Sequence, residues 1–457
     1  MKKRKYIYSL ALVAGLFLAN GCASKLDVEP TQSIDEEVAL STSRDVEVTL
    51  IGAYDGLQDV DVYGGAFQLA SELLGNSDEL GFGGTFQNLL EMYNKEITTQ
   101  NVTALATWRD SYATINRCNN VLSALDILEE DKRERVEGEA RFIRGSVYFD
   151  LVRLYAKTWG DGDNNANPGV PLILTPTRVV TDANSVPRNS VAEVYAQVLE
   201  DLRAAKTLLP EENTIYANKY AASAQLSRVY LMQSNFAMAR DEANEVINSE
   251  MYPLEDNFAS LFYTFLRNGG DNPDEYIFAM KVTAQDGVND LNTFFGATIE
   301  DITGTAGRGD IRILPKHRGM YEAGDTRGSF FITTINTYTQ KHIDNFGNVL
   351  QFRSAEMYLT RAEANFRLGT AVGATPLADI NLIRARAGLK PATTVTLESI
   401  LKERHLELAF EGHMLHDIKR NKKNVGTLPY NSPKLIMPIP QREIDVNKAL
   451  VQNEGYQ

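Results

Sequence analysis

The stretch ILKERHLELAFEGHMLHDIKR, Ile400–Arg420, decides how the rest of the chain is read. At about 100° per residue, Leu397, Ile400, Leu401, Leu408, Leu415 and Ile418 gather into one apolar arc, and Arg404, Glu407 and Glu411 fall inside it. A helix running through these residues buries its own charges. The carboxylates of Glu403, Glu407 and Glu411 stand at i, i+4, a spacing that costs about 0.3 kcal/mol per pair even on an exposed helix. Buried without partners, each costs several kcal/mol. The cations nearest in sequence are Arg384 and Arg386 in INLIRARAGL, and Arg353 and Arg361 before them. The pattern predicts an ion network of Arg353, Arg361, Arg384, Arg386, Arg404, Glu407 and Glu411 that fixes the register of three C-terminal helices. Paired carboxylates at helical spacing are also what glycoside hydrolysis requires. The arginines just upstream favour the structural network over catalysis.

At the other end of the chain, Lys2, Lys3, Arg4 and Lys5 precede an apolar run from Tyr6 to Ala19 that stops at Gly21 and Cys22. The run is short for a membrane span and built like a signal peptide. Residues 1–21 are read as that peptide and Cys22 as the lipidated first residue of the mature protein, although Asn20 departs from the usual small-residue box. The only other cysteine is Cys118, so no disulfide framework is expected, and Cys118 is read as a buried thiol. No later run reaches ~18 consecutive apolar residues. The net charge of −14 includes the four cations of the leader, so the remainder is more acidic still. Such a field opposes nucleic acid and anionic membrane surfaces.

Across the 457 residues the motifs run end to end, which suggests one unit over 22–457. Helical units and loops are expected over about 40–250, a variable insertion over about 252–350, and a C-terminal helical unit with an extended tail over about 351–457. Within the first part, Trp108 shares a helical face with Tyr112 and Ile115 and reads as core. Val136, Ala140, Ile143, Val147, Leu151 and Leu154 step by three and four, an amphipathic helix. In TWGDGDNNANPG, Asp161, Asp163, Asn165 and Asn167 alternate as in a calcium loop. Ala166 at position six and Leu172 at position twelve depart from that pattern, so a surface turn is expected instead. Ser190 with Glu193 makes a capping box for a helix ending before Pro210.

Leu226, Ser227, Tyr230, Ala239, Ala243 and Val246 match the spacing of tetratricopeptide helix pairs. Ala362, Ala374 and Ala378 repeat the offsets of the small residues. Helix pairs of this kind bury their inner faces only by stacking into a solenoid. Between the two units, 252–350 changes composition, with Gly and Asp breaks, a strand-like run at Glu275–Val282 and a Thr-rich run at Phe330–Tyr338. It reads as an irregular segment laid on the outside of a helical scaffold, where binding surfaces usually live. Pro376 and Gly388 bracket a further helix, and LIMPIP near the C-terminus reads as extended.

ERHLELAFEGHMLHDIKR, the closing LIMPIPQREIDVNKALVQNEGY, EARFIRGSVYFDLVRLYA followed by GVPLIL, WRDSYATINRCNNVL, and the tether KLDVEP after Cys22 together resemble the SusD/RagB family of Bacteroidetes outer-membrane nutrient-binding lipoproteins. The resemblance implies a mainly α, tetratricopeptide-like solenoid of four helical units with a loop-rich insertion and little β. It implies a surface-exposed, lipid-anchored protein of the outer membrane that acts as a lid on a SusC-like TonB-dependent transporter. Members capture oligosaccharides, or peptides in the RagB branch; neither catalysis nor a cofactor belongs to the family. The sequence holds no GxSxG, P-loop, CxxC or HExxH. His413 and His416 flank no evident third ligand beside Asp417, so no metal is expected there. Arg308–Gly309–Asp310 matches an adhesion tripeptide, which chance explains.

A sugar site needs an aromatic plate with amide, carboxylate or guanidinium groups around it. The loop residues that offer these are Phe82, Phe86 and Tyr93, then Trp159, then Phe294, Phe295 and Tyr321, with Asn292 and Arg318 as polar partners. The chain has only two tryptophans, which leaves a peptide ligand as the alternative to an oligosaccharide.

Overall fold

Helix boundaries follow from local chemistry. Thr42 and Asp45 form a capping box that opens α1 (Ser43–Gln58), and Ser190 with Glu193 does the same for α6 (Val191–Leu208). Each such cap contributes about 1 kcal/mol. The computed structural model describes residues 40–179, 185–264, 269–297 and 307–456; the leader, Cys22 and the KLDVEP tether lie outside them. No helix among the described residues is long and apolar enough to cross a membrane.

The remaining α-helices among the described residues are α2 (Ala66–Gly75), α3 (Gln87–Asn94), α4 (Val102–Leu122), α5 (Glu130–Tyr155), α7 (Lys219–Met232), α8 (Phe236–Asn248), α9 (Asp290–Phe295), α10 (Pro315–Arg318), α11 (Ser354–Leu368), α12 (Pro376–Arg386), α13 (Leu397–Glu407), α14 (Met414–Arg420) and α15 (Gln441–Val446). Packing runs α1 on α4, α4 on α5, α5 on α6, α6 on α7, α7 on α8, α8 on α11 and α11 on α12. This is a stack of tetratricopeptide-like pairs, mainly helical with short strands. The two repeat units far apart in sequence are neighbours in space, since α11 seats directly on α8.

Ser227 Oγ donates to the Ala239 carbonyl at 3.0 Å, closing the first unit through its small residues. The second unit does not repeat that register. Its connection, Gly369–Thr375, is longer than Gln233–Asn235 in the first unit, so Ala374 precedes α12 and Ala378 is exposed. Asp379, Ile380 and Ile383 form the buried face instead.

Among the described residues, three two-stranded antiparallel ribbons interrupt the helices: β1 (Leu80–Phe82) with β3 (Ile311–Ile313), β2 (Tyr276–Met280) with β6 (Val349–Arg353), and the hairpin β4 (Phe331–Thr333) with β5 (Thr337–Thr339). β2 is buried along its whole length. The segment 252–350 therefore enters the interior through β2, with Phe278 edge-on to Phe142 of α5, rather than lying only on the outside.

The Ile400–Arg420 stretch is not one helix. α13 ends at Glu407, and Phe410 and Gly412 take φ of +67° and +86° before α14 begins. A Cβ on Gly412 would lie 2.9 Å from Gln68 Cα, so the turn requires glycine. Glu411 thus sits in a turn, not on the face shared by Glu403 and Glu407. LIMPIP runs extended, with Leu435, Ile436, Met437 and Ile439 buried and the Met437 N–H bonded to the Leu154 carbonyl at 2.8 Å.

Candidate functional site

The C-terminal carboxylates meet their cations in the interior. Arg353 donates to Glu407 at 2.6 Å, to Glu275 at 3.0 Å and to Glu411 at 2.9 Å. Arg386 pairs with both Glu407 and Glu275. Arg327 reaches Glu403 at 2.7 Å, Asp325 at 2.8 Å and Glu407 at 3.1 Å. Lys341 binds Glu411 at 2.5 Å and the Glu407 carbonyl at 2.9 Å. Burial penalises the charged form of Glu407, yet Arg386, Arg353 and Arg327 hold its carboxyl well below the usual range. Against the same penalty, Arg353 and Lys341 hold Glu411 down to about 2.

Three residues assigned to this network from the sequence face elsewhere. Arg361 forks onto Asp379 at 2.6 and 3.0 Å. Arg404 pairs with Asp417 at 2.9 Å and Glu356 at 3.5 Å. Arg384 pairs chiefly with exposed Glu322 at 2.8 Å and stands 3.7 Å from Glu403. Arg327, Lys341, Asp325 and Glu275, unassigned from the sequence, come from the inserted segment, which no helical period connects to α13. The cavity bordered by Glu411 measures about 30 Å³, room for a water but not a sugar ring. Glu403 borders a concavity of about 80 Å³ that Arg327 and Arg384 also line, so among the described residues these carboxylates face cations rather than a cleft with room for a sugar ring.

Of the aromatic candidates, Phe294 and Phe295 are buried, the latter against His342 and Phe410 at 5.4 and 5.8 Å. Asn292 is buried and donates to the His342 carbonyl at 2.9 Å. Tyr321 is half-buried with its hydroxyl donating to the Leu406 carbonyl at 3.3 Å. These four are packing residues, because α9 and the segment after α10 turn their apolar sides onto the core. Trp159 is half-buried with its ring 4.9 Å from Tyr195, and Arg318 is exposed on α10.

What stays open gathers at the end of the β1–β3 ribbon. Phe86 is 40 % exposed, edge-on to Phe294 at 5.4 Å, and the Arg308 guanidinium lies 4.7 Å over its ring. Arg308 also donates to Asp310 at 3.1 Å and to Thr85 at 3.3 Å. Phe82 pairs with Tyr93 at 6.1 Å. Gly309, with φ +65°, lies against Tyr338, where a Cβ would stand 2.8 Å from the ring. Arg308, Asp310 and Tyr338 were not among the residues singled out as ligand contacts. The tripeptide at Arg308–Asp310 and the Thr-rich run ending at Tyr338 marked the places, but not their meeting.

A second concavity, of about 410 Å³, is lined by Trp108, Tyr112, Asn116, Ile173, Glu443 and Asn447 among others. Several of its polar groups are engaged with the chain itself: Tyr112 with the Pro171 carbonyl, Asn116 with Thr177, and Asn447 with the Val186 carbonyl. Trp108 is buried against Tyr112 and Tyr155 at 5.0 and 5.1 Å, so it offers no open plate. Cys118 is buried, and burial pushes its thiol up to about 12.

In the Asp161–Asn167 loop, Asn167 donates to the Asp161 carbonyl at 2.6 Å and Asp163 accepts from the Asn165 N–H at 2.9 Å, bonds that close the turn on itself. His416 is buried, and His413 is half-buried and stands 3.5 Å from Arg404. Among the described residues, ligating side chains converge instead at Glu79, His317 and His405, and at the acidic trio Asp59, Asp61 and Asp110.

Residues 26–231 match a family model described as "Starch-binding associating with outer membrane", and residues 331–432 match that of the "SusD family". SusD-like protein P2 of Formosa agariphila is 25% identical, over 98% of this chain and 99% of its own length. Starch-binding protein SusD of Bacteroides thetaiotaomicron is 36% identical over 23% of this chain and 21% of its own. A putative sugar binding protein from Bacteroides vulgatus superposes with TM-score 0.78 at 25% identity, covering 92% of this chain and 100% of that one. Surface glycan-binding protein A from Bacteroides uniformis shares the fold, with TM-score 0.76 at 23% identity over 91% of this chain and 100% of its own.

Proposed function

The chain belongs to the SusD/RagB family, and on that premise we propose that it is a non-catalytic surface lipoprotein, anchored through Cys22, that binds an oligosaccharide and passes it to a SusC-like TonB-dependent transporter. The family is one of carbohydrate-binding proteins associated with the outer membrane. The observation that carries the reading is the exposed Phe86 ring with Arg308 over it, beside Asp310, Phe82, Tyr93 and Tyr338. A part-exposed aromatic ring with a guanidinium on it offers a sugar an apolar surface for its C–H face and a donor for its hydroxyls, the guanidinium being held by the buried Asp310. The burial of Glu403, Glu407 and Glu411 in ion pairs supports a binding protein over a hydrolase.

Incubation of the purified chain with oligosaccharide and peptide arrays tests this. Retention of a glycan class without new reducing ends is the expected result. Retention of peptides alone would transfer the reading to the RagB branch, and cleavage products accumulating with time would overturn it.

A further inference from the structure

Three side chains remote in sequence aim at one point. Glu79 Oε2 lies 2.8 Å from His317 Nδ1 and 2.7 Å from His405 Nε2, and the ligating atoms of all three lie within 4.8 Å of one another. Glu79 is held in the turn before β1, where Asn76 accepts from its N–H at 3.0 Å and its carbonyl accepts from the Leu314 N–H at 2.9 Å. His317 is fully enclosed on α10, and His405 projects from α13 with 27% of its side chain exposed.

The Tyr321 hydroxyl stands 3.1 Å from His317 Nε2 and 3.3 Å from the Leu406 carbonyl. With that hydroxyl donating to the carbonyl, His317 Nε2 carries the proton and its Nδ1 lone pair joins the Glu79 carboxylate and His405 in a donor set that takes a cation. Fixing one imidazole nitrogen through an outer partner is also how metal-ligating histidines are oriented. An ion about 2.0–2.2 Å from each donor spaces tetrahedral ligands about 3.4 Å apart, so Glu79 needs to draw back from each imidazole by under ~1 Å, while the two imidazole nitrogens already lie within 4.8 Å of each other. A concavity of about 310 Å³, lined by Glu79, His405, Met414 and Asp417 among others, adjoins the point and leaves room for a water as fourth ligand.

We propose that Glu79, His317 and His405 bind a divalent transition-metal ion, zinc in the first instance, through a two-histidine, one-carboxylate set open on its fourth side. The site is separate from the Phe86 face and does not depend on the ligand assigned there. It ties the turn before β1, the inserted segment and a C-terminal helix into one clip.

The test is zinc titration of the chelator-stripped full chain by calorimetry, with the absorption spectrum of the cobalt-loaded protein as second readout. One equivalent per chain, a raised Tm and tetrahedral cobalt bands are expected. Glu79→Gln, which keeps the shape of the side chain, and His405→Gln, at the most open ligand, should each weaken uptake at least tenfold while circular dichroism stays unchanged. A folded wild-type chain that takes up no stoichiometric zinc overturns the proposal whatever the variants do. Equal uptake by wild type and both variants overturns it too, by placing the metal elsewhere.

Discussion

Glu407 is fully buried among Arg353, Arg386 and Arg327, and its removal shows what the network does. A buried ion pair gains little over a well-packed apolar core, but deleting one partner leaves the others uncompensated. Glu407→Gln should therefore cost about 3–5 kcal/mol, read from urea unfolding; a loss under about 1 kcal/mol would mean the arginines find other partners. The same carboxylates set the acid limb. In the unfolded chain a glutamate takes its proton near 4.5, whereas the fold holds Glu411 down to about 2 and Glu407 lower. The unfolded state thus binds more protons between those values, so the stability these carboxylates contribute is full above about pH 4.5 and drains away as pH falls towards 2. The urea midpoint measured from pH 7 down to pH 3 should fall more steeply below about 4.5, beyond the shallower loss that His342 and His413, held by burial down to about 4 and about 3, bring from about 6.5, and Glu411→Gln should flatten the steep part. The burial of charge was legible from helical periodicity. Its partners were not, because Arg327 stands 80 residues from Glu407 and nothing in local spacing connects them.

At the scale of elements, the signals that worked were chemical and local: Ser190 with Glu193, Pro376 at a first turn, and the three-and-four step of Val136–Leu154. The break in Ile400–Arg420 was masked because apolar residues continue in phase through Leu408, Leu415 and Ile418. Gly412 was the one residue that marked it, and its φ of +86° explains why. Gly412→Ala should cost about 2 kcal/mol or more, from the left-handed backbone together with the contact on Gln68. A thermal melt checks this; an unchanged Tm would show that the turn relaxes and that Glu411 does not depend on it. The second repeat misled for a related reason, since a longer connection shifts every offset counted from the first helix.

At the scale of the molecule, the solenoid brings distant sequence together, and that is why the binding face was only half visible beforehand. Aromatics in loops could be named, but periodicity does not say which of them the insertion folds inward; Phe294 and Phe295 went to the core while Phe86 stayed out. The segment 252–350 delivers Arg308 over Phe86 and Tyr338 beside Gly309, a surface built from three separate segments. If that surface is one site, its parts act together. Phe86→Ala and Arg308→Ala should each weaken glycan binding about tenfold, or roughly 1.4 kcal/mol, with the fold kept, as circular dichroism checks, because both side chains lie at the surface. The double variant should lose clearly less than the sum, since each single change already removes the stacked guanidinium–ring pair. Calorimetric titration of the four proteins measures the cycle. Strict additivity would show two independent contacts, and unaltered binding in all three variants would move recognition away from the ribbon end altogether.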